Sequence, residues 1–349
     1  MIFDRLRALK PYKTETTPCR IKLSSNESPF GLSEQLRNRI ADELKDLPYQ
    51  RYPDPTSLEL KKILSDWYGI APDQIVLGNG SDELIHLLIT VSDLIDQAVM
   101  YPVPTFPMYR VSANVLGRKI LEIPLSETFE LSKESIQQAI LQKPGIAFFA
   151  RPNNPTGNSF DPELIQYVAK QGILTIVDEA YIDFSNQNNL LDMALNTQNI
   201  IILRTLSKIG LAGIRLGILI ACQSVAQDID KARGPFNITY PTQKIAQLVL
   251  TEGKDEIQSN IQIIRHERDT LLADLQRLQN VTVYPSDSNF ILIKVPDGNA
   301  IHSQLIKEGI LVRNMSGYAD LNNFLRLTVG KPEDNQLLMH CLKNCLENA

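Results

Sequence analysis

What most constrains this 349-residue chain is a rhythm: from Leu58 onward, short unbroken apolar runs alternate with helical patterns for almost two hundred residues. QIVLG, AVMYP, KILEIP, GIAFFA, ILTIVDEA, IIILR and LGILIA are the runs, with helical segments between most of them. Such runs lack the polar alternation of a half-exposed strand, as expected for strands buried on both faces of a sheet. Strand and helix alternating in this way predict an α/β fold, a mostly parallel seven-stranded sheet covered by helices.

Near residue 255 the rhythm changes. A long helical pattern around Ile257 to Leu278 precedes strands at VTVYP and NFILIKV, a helix at AIHSQLIKEG, strands at ILVRN and FLRLTVG, and a last helix. A single core rarely grows beyond roughly 250 to 300 residues. We therefore expect an N-terminal arm over 1–30 that joins the small domain, a large domain over 31–255 and a smaller α+β domain over 256–349. No Gly/Ser-rich linker separates the last two, so the long helix should join them rigidly. Ser33 is placed to cap an amphipathic helix running to Leu47, with Leu36, Ile40 and Leu44 at helical spacing. YQRYPDPTS must be a loop because Pro53 and Pro55 interrupt it, and it carries Tyr49 and Tyr52.

Composition removes several function classes. A net charge of -5, with 43% hydrophobic and 21% charged residues, gives no general attraction to nucleic acid or to an anionic membrane. The N-terminal MIFDRLRALKPYKTE has no continuous apolar core and no small-residue cleavage site, so no export signal is evident. The longest apolar stretches fall well short of the roughly 20 residues that a membrane helix needs. Cys19, Cys222, Cys341 and Cys345 make no disulfide framework in so long a chain, and a cytoplasmic location is expected. Cys341 and Cys345 beside His340 lack a second ligand pair, so no metal is expected. His86, His266, His302 and His340 all fall in helical patterns, where packing or surface roles suffice.

In open α/β sheets, ligands sit beyond the carboxyl ends of the strands. Four strand exits are unusually polar: GNGSDE, ARPNNPTG, VDEAY and RTLSK. In the last, a β-branched run ends in Ser207 and Lys208, followed by Gly210, Gly213 and Arg215. Desolvating a lysine there favours its neutral amine, which suits Schiff-base chemistry; a solvated lysine just past a strand is the ordinary alternative. Gly78 and Gly80 leave free amides at a helix N-terminus, as in a phosphate cup, although a tight turn with a Ser or Asp cap would look the same. Asp178 follows a buried apolar run and must be paired, hydrogen bonded or protonated. It could hold a pyridinium nitrogen cationic, with Tyr181 reaching a phenolic oxygen of the same ring, or it could cap a helix or pair with Arg204. In NNPTG, Pro155 and Gly157 force a turn after Asn154.

NNPTG, DEAY and TLSK followed by LAGIRLG, in that order, resemble the fold-type I pyridoxal-phosphate aminotransferases. Together with KLSSNESPFG, QRYPDP, PTFPMY and FLRLTVG, they narrow the resemblance to the histidinol-phosphate aminotransferase family, from about residue 20 to the C-terminus. The resemblance implies pyridoxal 5'-phosphate as cofactor, bound covalently by Lys208, which also shuttles the substrate proton. It implies Asp178 at the pyridinium nitrogen, Asn154 and Tyr181 at the phenolic oxygen, and Phe106 stacked on the ring. Gly80, Ser81, Ser207 and Arg215 would hold the cofactor phosphate. A homodimer would bring Tyr52 to the neighbouring subunit's phosphate. Arg326, helped by Arg313, would grip the substrate's anionic group, alternately the phosphate of histidinol phosphate and the carboxylate of glutamate or 2-oxoglutarate. Aromatic amino-acid transamination and phosphothreonine decarboxylation are the enzymatic alternatives. A ligand-sensing regulator would need a DNA-binding module, for which too few residues precede the first motif. Many relatives carry one more residue between the lysine and LAG, so Arg215 stands one residue closer to Lys208 than is usual.

Overall fold

In the computed structural model the described residues are 7, 9, 15, 17–92, 97–318 and 321–347. Much of the expected N-terminal arm therefore lies outside them. The first strand, β1 (Ile21–Leu23), belongs to the smaller of two sheets. The next seven build the larger one: β2 (Ile75–Asn79), β3 (Ala98–Val103), β4 (Lys119–Pro124), β5 (Ile146–Ala150), β6 (Leu174–Asp178), β7 (Ile200–Thr205) and β8 (Leu216–Ile220). They are the seven apolar runs of the sequence, in the spatial order β2-β8-β7-β6-β5-β3-β4.

Strands β7, β6, β5, β3 and β4 run parallel, whereas β8 is antiparallel to both its neighbours, β2 and β7. Two reversals cancel, so β2 points the same way as β7. The carboxyl ends of β2, β3, β5, β6 and β7 thus share one edge with the amino end of β8. That single antiparallel strand puts Arg215, which precedes β8, on the edge where Lys208 leaves β7. The sequence pattern carries no sign of the reversal beyond the short connection from 206 to 215.

Burial on both faces explains the unbroken runs. Ile200, Ile202 and Leu206 pack into one apolar cluster with Phe149, Val177 and Ile218, while Ile201 and Leu203 pack into another with Phe148, Ile176 and Leu219. Each such side chain contributes about 1.5 to 3 kcal/mol on burial. The helix expected after Ser33 spans Glu34–Lys45, with Ser33 Oγ accepting the Leu36 N–H at 3.4 Å.

The smaller sheet has the order β1-β11-β12-β10-β9, with β9 (Thr282–Val283), β10 (Phe290–Lys294), β11 (Ile310–Asn314) and β12 (Phe324–Thr328). Residues 21 to 23 pair in parallel with β11. The long helix Lys254–Leu275 lies between the two sheets in sequence. Its Arg268, only 2% exposed, donates to the carbonyls of Phe184 at 2.7 Å and Ser288 at 3.4 Å. One buried guanidinium therefore ties the helix to the larger sheet's loops and to the entry of β10 at once.

Gly217 sits where β8 passes under the helix Gly80–Val91. A Cβ there would stand 2.4 Å from the Gly80 carbonyl carbon and 2.6 Å from the Ser81 nitrogen. Backbone cannot yield as a side chain can. Gly217→Ala should cost about 1 to 3 kcal/mol in urea unfolding, and unchanged stability would show that this contact is not close packed.

Candidate active site

The shared strand edge opens into a cleft lined by Ser81, Asp82, Phe106, Ala150, Asn154, Asp178, Ala180, Tyr181, Thr205, Ser207, Lys208 and Arg215. Eight of the residues singled out from sequence line it: Ser81, Phe106, Asn154, Asp178, Tyr181, Ser207, Lys208 and Arg215. A ninth, Gly80, forms the wall behind Arg215, where a Cβ would meet the guanidinium at 2.5 Å.

At one end of the cleft, the amides of Gly80 and Ser81 open the helix Gly80–Val91, whose free N–H groups and dipole favour an anion. Arg215 reaches the same spot from the amino end of β8, its backbone left-handed at φ 53°, and pairs with Asp82 at 3.2 Å. Ser207 Oγ lies 2.8 Å from Thr205 Oγ1, which also accepts the Ser207 N–H at 3.1 Å. The shortened spacing to Lys208 therefore does not remove Arg215 from the site, because the chain needs only the tight turns at 206–208 and 212–214 before it reverses into β8.

At the other end Asp178 is 4% exposed at the tip of β6. The Tyr109 hydroxyl donates to its Oδ2 at 2.8 Å and the Ala180 N–H to its Oδ1 at 3.1 Å. Burial pushes its pKa up to about 6, against those two hydrogen bonds and the charge of Lys208. Neither ordinary alternative holds for it: Arg204 pairs instead with Glu179, at 2.7 Å, in a buried ion pair capped by the Tyr68 ring 4.8 Å from the guanidinium. Among the described residues no Lys or Arg forms an ion pair with Asp178. The two acids of DEAY have thus separated, Glu179 into structure and Asp178 into the cleft.

Between these ends Lys208 places its Nζ 5.6 Å from the Tyr181 ring centre and 3.5 Å from the Ser25 carbonyl. Tyr181 packs edge-on against Phe290, and the Arg326 guanidinium lies 5.3 Å from the centre of the same Phe290 ring. Arg326 does not line the cleft. It is buried one hydrogen bond behind, donating Nη1 to Asn154 Oδ1 and Nη2 to the Ser24 carbonyl at 2.7 Å. Arg313 stands opposite it in the β11–β12 register and is half-buried. Tyr52 lies on the surface, 78% exposed and stacked on Phe236 at 4.5 Å.

Four groups escaped the sequence reading. Tyr109 was within reach of it, three residues after Phe106 at the start of the helix Met108–Val115 and so on the same face. Ser24, Ser25 and Asn26 fell within a quoted motif but carried no assigned role. Nothing local in SSNE signals contacts to residues 155 to 302 positions away.

Residues 20–342 match the family described as aminotransferase class I and II. The chain belongs to that family. Curated relatives include histidinol-phosphate aminotransferases from Aquifex aeolicus (strain VF5), 41% identical over 100% of this chain and 99% of that protein, and from Hydrogenobaculum sp. (strain Y04AAS1), 43% identical over the same shares. Solved structures that resemble it include the histidinol-phosphate aminotransferase of Sinorhizobium meliloti in complex with pyridoxal-5'-phosphate. That match has a TM-score of 0.87 at 23% identity and covers 99% of this chain and 97% of that one. The enzyme of Clostridium acetobutylicum matches with a TM-score of 0.85 at 24% identity, over 94% and 100% of the two chains. At such identities the structures speak for the shared fold.

An aminotransferase of this family is a pyridoxal-phosphate enzyme, and the cleft fits that group. A buried carboxylate with no ion-pair partner among the described residues suits the protonated ring nitrogen, while the helix N-terminus with Arg215 suits a phosphate.

The same carboxylate makes a prediction for the cofactor-free protein. Because folding raises the Asp178 pKa from 3.8 to about 6, its contribution to stability is present below about pH 4 and is lost as pH rises through about 6. That rise is worth about 3 kcal/mol. Asp178→Asn should remove this loss, so the variant gains on the wild type between about pH 4 and pH 6 in urea unfolding; parallel curves across that interval would refute the burial argument.

Proposed function

We propose that the protein transfers an amino group from L-histidinol phosphate to 2-oxoglutarate, giving imidazole acetol phosphate and L-glutamate, a step of histidine biosynthesis. The observation that carries this reading is the gathering of Lys208, Asp178, Tyr181 and Asn154 into one cleft with an anion-binding helix N-terminus at its end. The substrate follows from the full-length relatives, which bear that name at 41% and 43% identity.

When bound, pyridoxal phosphate supplies an electrophilic carbonyl carbon and a ring that withdraws electrons from the substrate's Cα. The rest falls to the chain. Lys208 provides the amine that holds the carbonyl and, once displaced by substrate, takes the proton from Cα. Asp178 keeps the ring nitrogen protonated, and its burial strengthens that interaction. Asn154, whose carbonyl accepts from Arg326 in the unliganded chain, would offer its amide N–H to the phenolic oxygen together with Tyr181. Phe106 covers the ring face. Gly80, Ser81, Ser207 and Arg215 hold the phosphate by amides, hydroxyls and one guanidinium.

Arg326 is the substrate's anion site and Arg313 its helper. A planar fork serves phosphate and carboxylate alike, so one pair of arginines accepts both substrates in turn. Binding then replaces the contacts to Asn154 and Ser24 with contacts to the substrate. We also propose a cytoplasmic homodimer, in which Tyr52 reaches the partner's phosphate site and the exposed aromatic surface of Tyr49, Tyr52 and Phe236 is covered. Among the described residues no helix is long and apolar enough to cross a membrane.

The decisive measurement is the absorption spectrum of the reconstituted protein mixed with candidate amino donors. Histidinol phosphate should bleach the cofactor band, whereas bleaching by phenylalanine or tyrosine alone would make it an aromatic aminotransferase. Borohydride should fix the cofactor on the wild type, seen as added mass, and not on Lys208→Ala; covalent capture by that variant would refute the role of Lys208. Arg326→Ala should retain the cofactor band yet lose about 2 to 5 kcal/mol in kcat/KM through a raised KM, and an unchanged KM would reassign the anion site.

A further inference from the structure

Asn26 is a residue whose surroundings its own chemistry does not require. It is 1% exposed, and its backbone is left-handed at φ 55°, a conformation that Asn tolerates better than most residues. Every polar group on it is engaged. Its N–H donates to Thr328 Oγ1 at 3.0 Å and its carbonyl accepts from Asn289 Nδ2 at 3.1 Å. Its side-chain Oδ1 accepts from Thr328 Oγ1 at 3.1 Å, and its Nδ2 donates to Tyr181 Oη at 3.0 Å.

The direction of the last bond follows from the others. Thr328 Oγ1 receives the Asn26 N–H and gives its own proton to Asn26 Oδ1. The amide is thereby turned with its NH2 toward Tyr181. A tyrosine hydroxyl has one proton and two lone pairs. With its oxygen occupied as an acceptor, Tyr181 keeps its proton for something else, and among the described residues none accepts it. Tyr181 is itself one of the residues that line the cleft.

We propose that Asn26 is a positioning residue that polarises Tyr181, holding its hydroxyl as a donor into the cleft and strengthening that donation. A bond received at the oxygen makes the O–H a better donor, since hydrogen bonds in a chain reinforce one another. The proposal rests on the reading that Tyr181 serves the phenolic oxygen of pyridoxal phosphate. Because Asn26 is held by Thr328 of β12 and by Asn289 beside β10, the smaller sheet sets the direction of a hydroxyl in the larger sheet's site.

The test is the pH midpoint of the visible absorption band after reconstitution with pyridoxal phosphate. A donor to the phenolic oxygen favours its anion, so losing the donor raises the midpoint. The charged neighbours of Tyr181, which are Lys208, Asp178 and Arg326, are the same in every variant. Tyr181→Phe should raise the midpoint; if it does not, the parent reading fails. Asn26→Gly keeps the left-handed backbone and should raise the midpoint by less, and should add nothing when combined with Tyr181→Phe. An unchanged midpoint, or an equal increment with and without the tyrosine hydroxyl, would overturn the proposal even where Tyr181→Phe behaves as expected.

Asn26→Asp, an isostere that cannot donate when ionised, covers the case in which the glycine variant does not fold. Its shift should be larger with Tyr181 present than in the Tyr181→Phe background, because the added charge acts in both and the lost donor in only one. Equal shifts would overturn the proposal. Thermal unfolding of the cofactor-free variants separates a purely structural role, which would lower stability and leave the midpoint where it is.

Discussion

The site depends on one reversal of strand direction. In a wholly parallel sheet, the residue before a strand lies at the opposite edge from the residue after it. Because β8 runs against β7, the ten residues 206 to 215 leave the sheet and re-enter at the same edge, so Lys208 and Arg215 face one cleft. The reversal also carries Gly217 beneath Gly80, with no room for a Cβ. That close approach lets the helix N-terminus descend onto the strand edge, and amides, guanidinium and hydroxyl converge. A bulkier residue at 217 would lift the helix away from Ser207.

Charge in the interior is divided with similar economy. Three neighbouring polar residues, Asp178 and Glu179 at the end of β6 and Arg204 on β7, could have formed a single network. The strand pleat prevents it. Glu179 turns to the far side of the strand from Asp178, where it meets Arg204 at 2.7 Å, accepts the Leu190 N–H at 2.7 Å and lies beside the Tyr68 ring. The guanidinium is thus used up. What remains at Asp178 is a carboxylate held by a phenol and an amide, both neutral, at a place where burial works against its charge. A cationic ligand atom would offset that cost, adding to the charge of Lys208.

The larger sheet was legible in the sequence because strands buried on both faces read as apolar runs, and all seven runs became strands, including the half-exposed edge strand β4, which carries Lys119 and Glu122. The chemical residues at the strand exits were legible for a related reason: a polar residue directly after such a run has few structural excuses. Two things were not legible. Strand direction leaves no mark on the hydrophobic pattern, so the antiparallel β8 and the place it gives Arg215 emerge only in three dimensions. Contacts across long separations leave none either. Arg326 reads as one polar residue in an apolar strand, and nothing around it says that its guanidinium passes behind Asn154 to the Ser24 carbonyl rather than into the cleft.

That placement of Arg326 bears on how the two sheets work together. Its partners are Asn154, on the larger sheet's loop, and the segment 24–26, which pairs with the smaller sheet through the strand just before it. The same segment offers the Ser25 carbonyl to Lys208 and the Asn26 amide to Tyr181. Three consecutive residues therefore touch the Arg326 guanidinium, the Lys208 amine and the Tyr181 phenol. Any movement of Arg326 away from Ser24 breaks its bond to that carbonyl, and the backbone of 24–26 cannot shift at Ser24 without being felt at Ser25 and Asn26. The position of Arg326 is in this way linked by covalent backbone to the groups that meet Lys208 Nζ and the Tyr181 hydroxyl. One short peptide segment joins the arginine buried behind Asn154 to the amine and the phenol that line the cleft.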